Sequence, residues 1–141
     1  MKVLIINGPN LNMLGVRSLE IYGSETLGQI NGEVQSYAES LDVSCEFFQS
    51  NCEGSIIDAI HGAYGKVDGI IINAGAYTHY SYAIADALEC VSLPVVEVHL
   101  SDIHNREDFR KISVLEEVCV AQISGFGRDS YVKGMEKLNA M

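Results

Sequence analysis

Gly69-Ile70-Ile71-Ile72 is the most apolar short run in this chain, and it stops at Asn73-Ala74-Gly75-Ala76-Tyr77-Thr78-His79. A continuous apolar run bounded by glycine and polar residues suits the buried central strand of a parallel sheet. In open parallel sheets, ligands bind in the crevice beyond the carboxyl ends of the strands. Asn73, Gly75 and His79 therefore stand where a site is expected, and the remaining chain can be asked what else it brings to that rim.

Strands and helices alternate along the sequence. Val3-Leu4-Ile5-Ile6 is the first apolar run, closed by Asn7-Gly8-Pro9-Asn10-Leu11-Asn12. Helical spacing follows Thr26, where Thr26 to Gln29 has the form of a capping box, and places Ile30, Val34, Tyr37, Ala38 and Leu41 on one face. Val43, Cys45 and Phe47 alternate toward a second strand ending near Gln49. A second capping box is expected at Ser50 to Glu53, opening a helix with Ile56, Ile57, Ile60 and Ala63 inward. Strands are expected at 67–73, 93–100 and 118–123, a helix at 81–91, and a terminal helix through Lys137 weakened by Gly134. This alternation implies one domain, 1–141: a flavodoxin-like three-layer α/β/α fold with a five-stranded parallel sheet in the order 2-1-3-4-5. The switch point then lies between strands 1 and 3, beside both polar segments.

Charge narrows the partners. A net charge of −10 disfavours nucleic acid and anionic membranes. No apolar run has the length of a membrane span, and Met1-Lys2 leads straight into a strand, so no secretory leader is expected. Cys45, Cys52, Cys90 and Cys119 lack CxxC spacing, and three lie in apolar patterns. Buried free thiols in a reducing, cytoplasmic setting are the expectation. Of four arginines, Arg17, Arg106 and Arg110 fall in loops or loop edges, where they could hold an anion or form surface ion pairs.

The stretch 10–24 is long, glycine-punctuated and without period, which favours a lid at about residues 15–24. It carries Arg17 and Tyr22. A tyrosine of pKa about 10 is only about one part in a thousand ionised at neutral pH. A guanidinium about 4 Å away, at an effective dielectric of about 20, contributes about 4 kcal/mol, an upper bound of about three pKa units. That would bring a phenolate near neutrality and make a general base, although a tyrosine and an arginine also share loops by chance. Glu97 and His99 are two apart on a strand and so share a face. A carboxylate there would fix the imidazole tautomer and stabilise its cation, as a general acid requires, or simply satisfy a strand-end histidine. His79 and Asp86 are seven apart, on one face if the helix begins early enough. His61 fits a satisfied core residue, and no set of residues has zinc spacing. Asn7-Gly8-Pro9-Asn10 lacks GxGxxG and the Walker lysine, leaving either a rigid turn or Asn10 as a donor or water holder.

Taken together, Ile6-Asn7-Gly8-Pro9-Asn10-Leu11-Asn12, Tyr22-Gly23, Gln49-Ser50-Asn51, Glu53-Gly54, Gly75 to His79, Val95 to Ser101 and Arg106-Glu107 closely resemble the type II 3-dehydroquinases, over almost the whole chain. The resemblance implies reversible dehydration of 3-dehydroquinate to 3-dehydroshikimate through an enolate, by anti elimination, without metal, imine or cofactor. It serves the shikimate pathway or quinate catabolism. By the same resemblance, Tyr22 is the base, Arg17 its activator, His99 the acid supported by Glu97, and Asn10 the holder of an enolate-stabilising water. Asn73, Leu100, Ser101 and the amides around 101–103 would receive the carboxylate, beside Gly75 and Ala76. His79 and Arg110 would contact ring hydroxyls and Arg106 would close with the lid. A homododecamer, a tetramer of trimers, is implied, in which Asp86 reaches a neighbour's site. The chain departs from the family's usual pattern at Ser18-Leu19, Ala85 and Asp102, the last adding negative charge near the carboxylate pocket. Two other functions remain compatible with the fold: a small-anion binding module without chemistry, and a different lyase or isomerase.

Overall fold

In a computed structural model, residues 1–16 and 19–141 are described, with Tyr22 described by its backbone alone. Five strands form one parallel sheet: β1 (Lys2–Asn7), β2 (Ser44–Gln49), β3 (Gly69–Asn73), β4 (Val95–His99) and β5 (Ala121–Ser124), in the order β2-β1-β3-β4-β5. The helices are α1 (Leu19–Tyr22), α2 (Leu27–Ser40), α3 (Glu53–Ala63), α4 (Tyr82–Val91) and α5 (Asp129–Asn139). The expected architecture and strand order are those observed.

The two-residue period of a strand divides the core. Leu4, Ile6, Ile70 and Ile72 pack with α3 and α4, through Ile56, Ile60, Ile84 and Leu88. Val3, Ile5, Ile71, Val96 and Val98 pack with α2 and α5, through Ile30, Val34, Tyr131, Met135 and Leu138. Because β3 and β4 are covered on both faces, every residue in them is buried, whereas β2 and β5 at the sheet edges are partly exposed. Burying an isoleucine contributes about 1.5–3 kcal/mol, so the Ile70-Ile71-Ile72 run is a principal source of stability.

Register sets the rim. Asn7 stands opposite both Gln49 and Asn73, and His99 opposite Ser124, so the polar carboxyl ends lie side by side. Gly8 allows the turns after β1 and β3 to meet: its amide donates to the Asn73 carbonyl at 2.7 Å. A Cβ added there would stand 2.4 Å from the Ala74 carbonyl oxygen.

Several local expectations are corrected. Thr26 does form a capping box with Gln29. The box at Ser50 does not form: Ser50 Oγ accepts from Cys52 N at 2.9 Å, and α3 begins two residues later than a Ser50 cap requires, at Glu53 after Cys52. The fifth strand begins at Ala121 rather than 118, because Glu116–Val118 is a 3-10 turn. Gly134 belongs to the packing: its added Cβ would lie 3.2 Å from Val98 Cγ1, so the glycine lets α5 sit close on β4. None of the thiols is fully buried; Cys45 and Cys119 are half-buried and Cys52 and Cys90 exposed. All four are free. His61 is exposed rather than in the core. The expected lid segment contains α1, a single helical turn, and among the described residues no helix is long and apolar enough to cross a membrane.

Candidate active site

A cleft of about 130 Å³ opens at the rim where β1, β3 and β4 end. Pro9, Asn10 and Leu11 line it from the turn after β1; Asn73, Gly75, Ala76 and His79 from β3 and the turn beyond it. His99 enters from the end of β4, Leu100, Ser101 and Ile103 from the turn beyond it, and Arg106 and Arg110 from the following connection. Parallel strands in register deliver these groups to one place from four separate stretches of sequence.

His99 and Glu97 form the best-defined pair. The two side chains share a face of β4, and His99 Nε2 lies 2.5 Å from Glu97 Oε2. Glu97 is wholly buried, and four side chains donate to it or share a proton with it. Besides His99 these are Ser113 Oγ at 2.7 and 2.9 Å to its two oxygens, Thr78 Oγ1 at 3.2 Å and Gln122 Nε2 at 3.3 Å. Burial by itself would raise the Glu97 pKa. The hydrogen bonds from His99, Ser113 and Gln122, with the His99 charge, outweigh it and hold the carboxyl below its ordinary value. An ionised Glu97 accepts the Nε2 proton, so the neutral tautomer of His99 carries hydrogen on Nε2 and leaves Nδ1 for the cleft.

Asn73 is held from behind. Its Nδ2 donates to Tyr131 Oη at 3.1 Å and its Oδ1 accepts from Gly75 N at 3.2 Å. The Tyr131 hydroxyl in turn donates to Asn7 Oδ1, closing a buried chain from α5 to β1. Burial drives the Tyr131 phenol well above its ordinary pKa, so it remains a neutral donor. Asn10 adopts a left-handed conformation with φ of 69°, and its amide donates to Asn51 Oδ1 at 2.9 Å. Gln49 Nε2 braces the same turn through the Gly8 carbonyl at 3.1 Å.

His79 Nδ1 pairs with the Ile112 carbonyl at 2.7 Å, which makes Nδ1 the protonated nitrogen. Burial lowers its pKa; the Ile112 carbonyl opposes that shift and the His99 and Arg110 charges reinforce it. Arg110 stacks on Phe109 at 4.7 Å, and its buried Nε, paired with the Glu107 carboxylate at 3.6 Å, has no hydrogen-bond partner among the described residues. Arg106 Nη1 donates to Ser101 Oγ at 3.3 Å.

One expected participant stands elsewhere. Asp86 is outside the cleft, in a separate shallow groove with Tyr82, Ala85 and Glu89. It also shares no helical face with His79, because α4 begins only at Tyr82 and His79 belongs to the preceding 3-10 turn. Arg17 and the Tyr22 side chain lie outside the described residues. Asp102 does not line the cleft; its carboxylate accepts from His104 N at 3.0 Å and Asn105 Nδ2 at 3.3 Å. No sequence pattern assigns a role to Ser113, Gln122 or Tyr131, and Asn51 stands in a quoted motif without one. Thr78 sat within the quoted polar stretch but was assigned nothing. Among the described residues, no group of three or more His, Cys, Asp or Glu side chains is arranged to hold a metal ion.

The family model for dehydroquinase class II matches residues 1–139. The chain belongs to this family. It is 58% identical over 132 residues to the 3-dehydroquinate dehydratase of Caldicellulosiruptor bescii, covering 93% of this chain and 91% of that protein. Against the 3-dehydroquinate dehydratase of Clostridium perfringens, identity is 54% over 139 residues, covering 98% of this chain and 96% of that protein. The crystal structure of the type II dehydroquinase from Butyrivibrio crossotus superposes with a TM-score of 0.97. Its sequence is 51% identical, over 99% of this chain and 97% of that one. The class II dehydroquinase fold thus accounts for the sheet, the cleft and the segments that line it.

Proposed function

We propose that the chain is a 3-dehydroquinate dehydratase of the type II kind, interconverting 3-dehydroquinate and 3-dehydroshikimate. The observation that carries the proposal is the Glu97–His99 pair in a cleft edged by Arg106 and Arg110, within a chain of this family. An acid beside cationic groups suits a small anionic substrate that must lose a hydroxyl. The buried Nε of Arg110, without a hydrogen-bond partner among the described residues, supports this, since a buried donor is satisfied when a ligand oxygen accepts from it.

The reaction then divides among named groups. Tyr22, as phenolate favoured by Arg17, removes the C2 proton, and the electron pair moves into the ketone to give an enolate. A water held by Asn10 donates to the enolate oxygen. The enolate then reforms its carbonyl as the C1–O bond breaks, and Nδ1 of protonated His99 gives the departing hydroxyl its proton, releasing water. Ionised Glu97 stabilises the imidazolium until that proton leaves, and then accepts from the neutral ring's Nε2–H. Asn73, Leu100, Ser101 and the amides around 101–103 receive the carboxylate; Gly75, Ala76, His79 and Arg110 meet the ring, and Arg106 closes with the lid. No cofactor is assigned to any step. One catalytic domain, 1–141, working in the cytoplasm as a homododecamer of four trimers, completes the proposal. In such an assembly Asp86, which is outside its own cleft, serves a neighbour.

Purified protein mixed with 3-dehydroquinate in EDTA is expected to show rising conjugated-enone absorbance. Tyr22→Phe is expected to lose at least about 100-fold in turnover while retaining ligand affinity. Comparable turnover by that variant would remove the tyrosine from the role of base.

A further inference from the structure

We propose that Ser113 is a positioning residue that fixes the protonation of the Glu97–His99 pair and ties it to the arginine-bearing connection. The inference rests on the dehydratase reading of the cleft. A serine hydroxyl has one proton and two acceptor lone pairs. Ser113 Oγ accepts from Leu115 N and Glu116 N, both at 3.2 Å, and backbone amides can only donate. Its single proton is therefore committed to Glu97, whose two oxygens lie at 2.7 and 2.9 Å. With its lone pairs filled, Ser113 cannot accept a proton from a neutral Glu97. As a donor to both oxygens, the serine favours the ionised carboxylate, and that carboxylate favours the Nε2–H form of His99.

The neighbours of Ser113 give it a second role. The Ile112 carbonyl holds His79 Nδ1 at 2.7 Å, and Val114 N donates to the Thr78 carbonyl at 2.9 Å. Thr78 itself donates to Glu97 at 3.2 Å. Three consecutive residues thus dock the connection onto His79, Glu97 and Thr78, two positions beyond Arg110. A ligand that engages Arg110 and His79 pulls on the segment that orients the acid pair. The titratable or charged groups around Glu97 are His99 on β4, His79 after β3, and Cys119 just before β5, which also feels Glu116.

The test compares Ser113→Ala and Ser113→Thr with the parent enzyme, by kcat–pH profiles, KM and 15N NMR of the His99 imidazole. The Ser113 bond lowers the Glu97 pKa, so deleting it raises that pKa, and activity requiring ionised Glu97 is lost at higher pH. Ser113→Ala is expected to lower kcat about ten-fold or more, leave KM within about two-fold and move the acidic limb upward. Ser113→Thr is expected to restore the limb. NMR is expected to show Nε2–H for neutral His99 in the parent and mixed tautomers in the alanine variant. If the alanine variant does not fold, Ser113→Cys, of similar size but a far weaker donor, is expected to shift the limb likewise. A parent-like profile and tautomer in the alanine or cysteine variant overturns the proposal, as does an Nδ1–H parent. The NMR readout needs no turnover, so a parent protein inactive on 3-dehydroquinate would sink the dehydratase reading and still decide the role of Ser113.

Discussion

Glu97 shows how a single residue can be legible in part. Its pairing with His99 follows from their spacing, because side chains two apart on a strand share a face. Its other partners, Thr78, Ser113 and Gln122, come from 16 to 25 residues away in sequence and carry no local pattern that points to β4. Their role depends on the register of β4 with β5 and on the path of the connection, which no spacing encodes. The energetic consequence is calculable in sign. A buried carboxylate whose folded pKa is depressed stabilises the protein above its ordinary pKa of 4.5, and that contribution is lost as pH falls through the folded value. Glu97→Gln turns an amide NH2 toward a set of donors and removes the counter-charge of His99. Denaturant unfolding at neutral pH is expected to show a loss of about 3 kcal/mol, shrinking in acid, and kcat is expected to fall about 100-fold. An equal loss at both pH values would place the cost in packing rather than in charge.

The elements were readable wherever the signal was periodic. Alternating apolar runs and helical spacing locate all five strands, and Thr26 marks its helix start correctly, because these depend on neighbours in sequence. The misses are at junctions. Ser50 turns its hydroxyl to Cys52 instead of capping three residues on, and the β5 entry is delayed by the turn that Ser113 caps through Leu115 and Glu116. Two glycines illustrate the same limit, since their meaning lies in what they touch. At Gly134 a methyl would gain helix propensity of about 1 kcal/mol but press on Val98 and Val96. At Gly8 the obstacle is backbone, with the Ala74 carbonyl oxygen at 2.4 Å, and it cannot yield without separating the turns that carry Asn10 and Asn73. Gly8→Ala is expected to cost about 3 kcal/mol or more in thermal or chemical unfolding and to weaken ligand binding with it. A variant of parental stability would mean that the two turns move apart freely.

For the molecule as a whole, a net charge of −10 coexists with a cleft whose edge carries Arg106 and Arg110. That contrast was visible in composition, while the position of Asp86 outside the cleft was not, because it depends on where α4 starts. Sedimentation of the purified protein is expected to report twelve 15.4-kDa chains per particle, and Asp86→Ala is expected to lower turnover about ten-fold without loosening the fold. Active monomers would overturn both expectations. The Tyr131 link between Asn7 and Asn73 also imposes an order in time. Its two asparagines are made early, yet the hydroxyl that joins them arrives on the last helix, 124 residues after Asn7. A nascent chain can pair β1 with β3 while still on the ribosome, but it holds two buried amides short of a partner until α5 emerges and docks. A chain stopped before residue 129 would therefore carry the cleft's first wall without the peg that sets it.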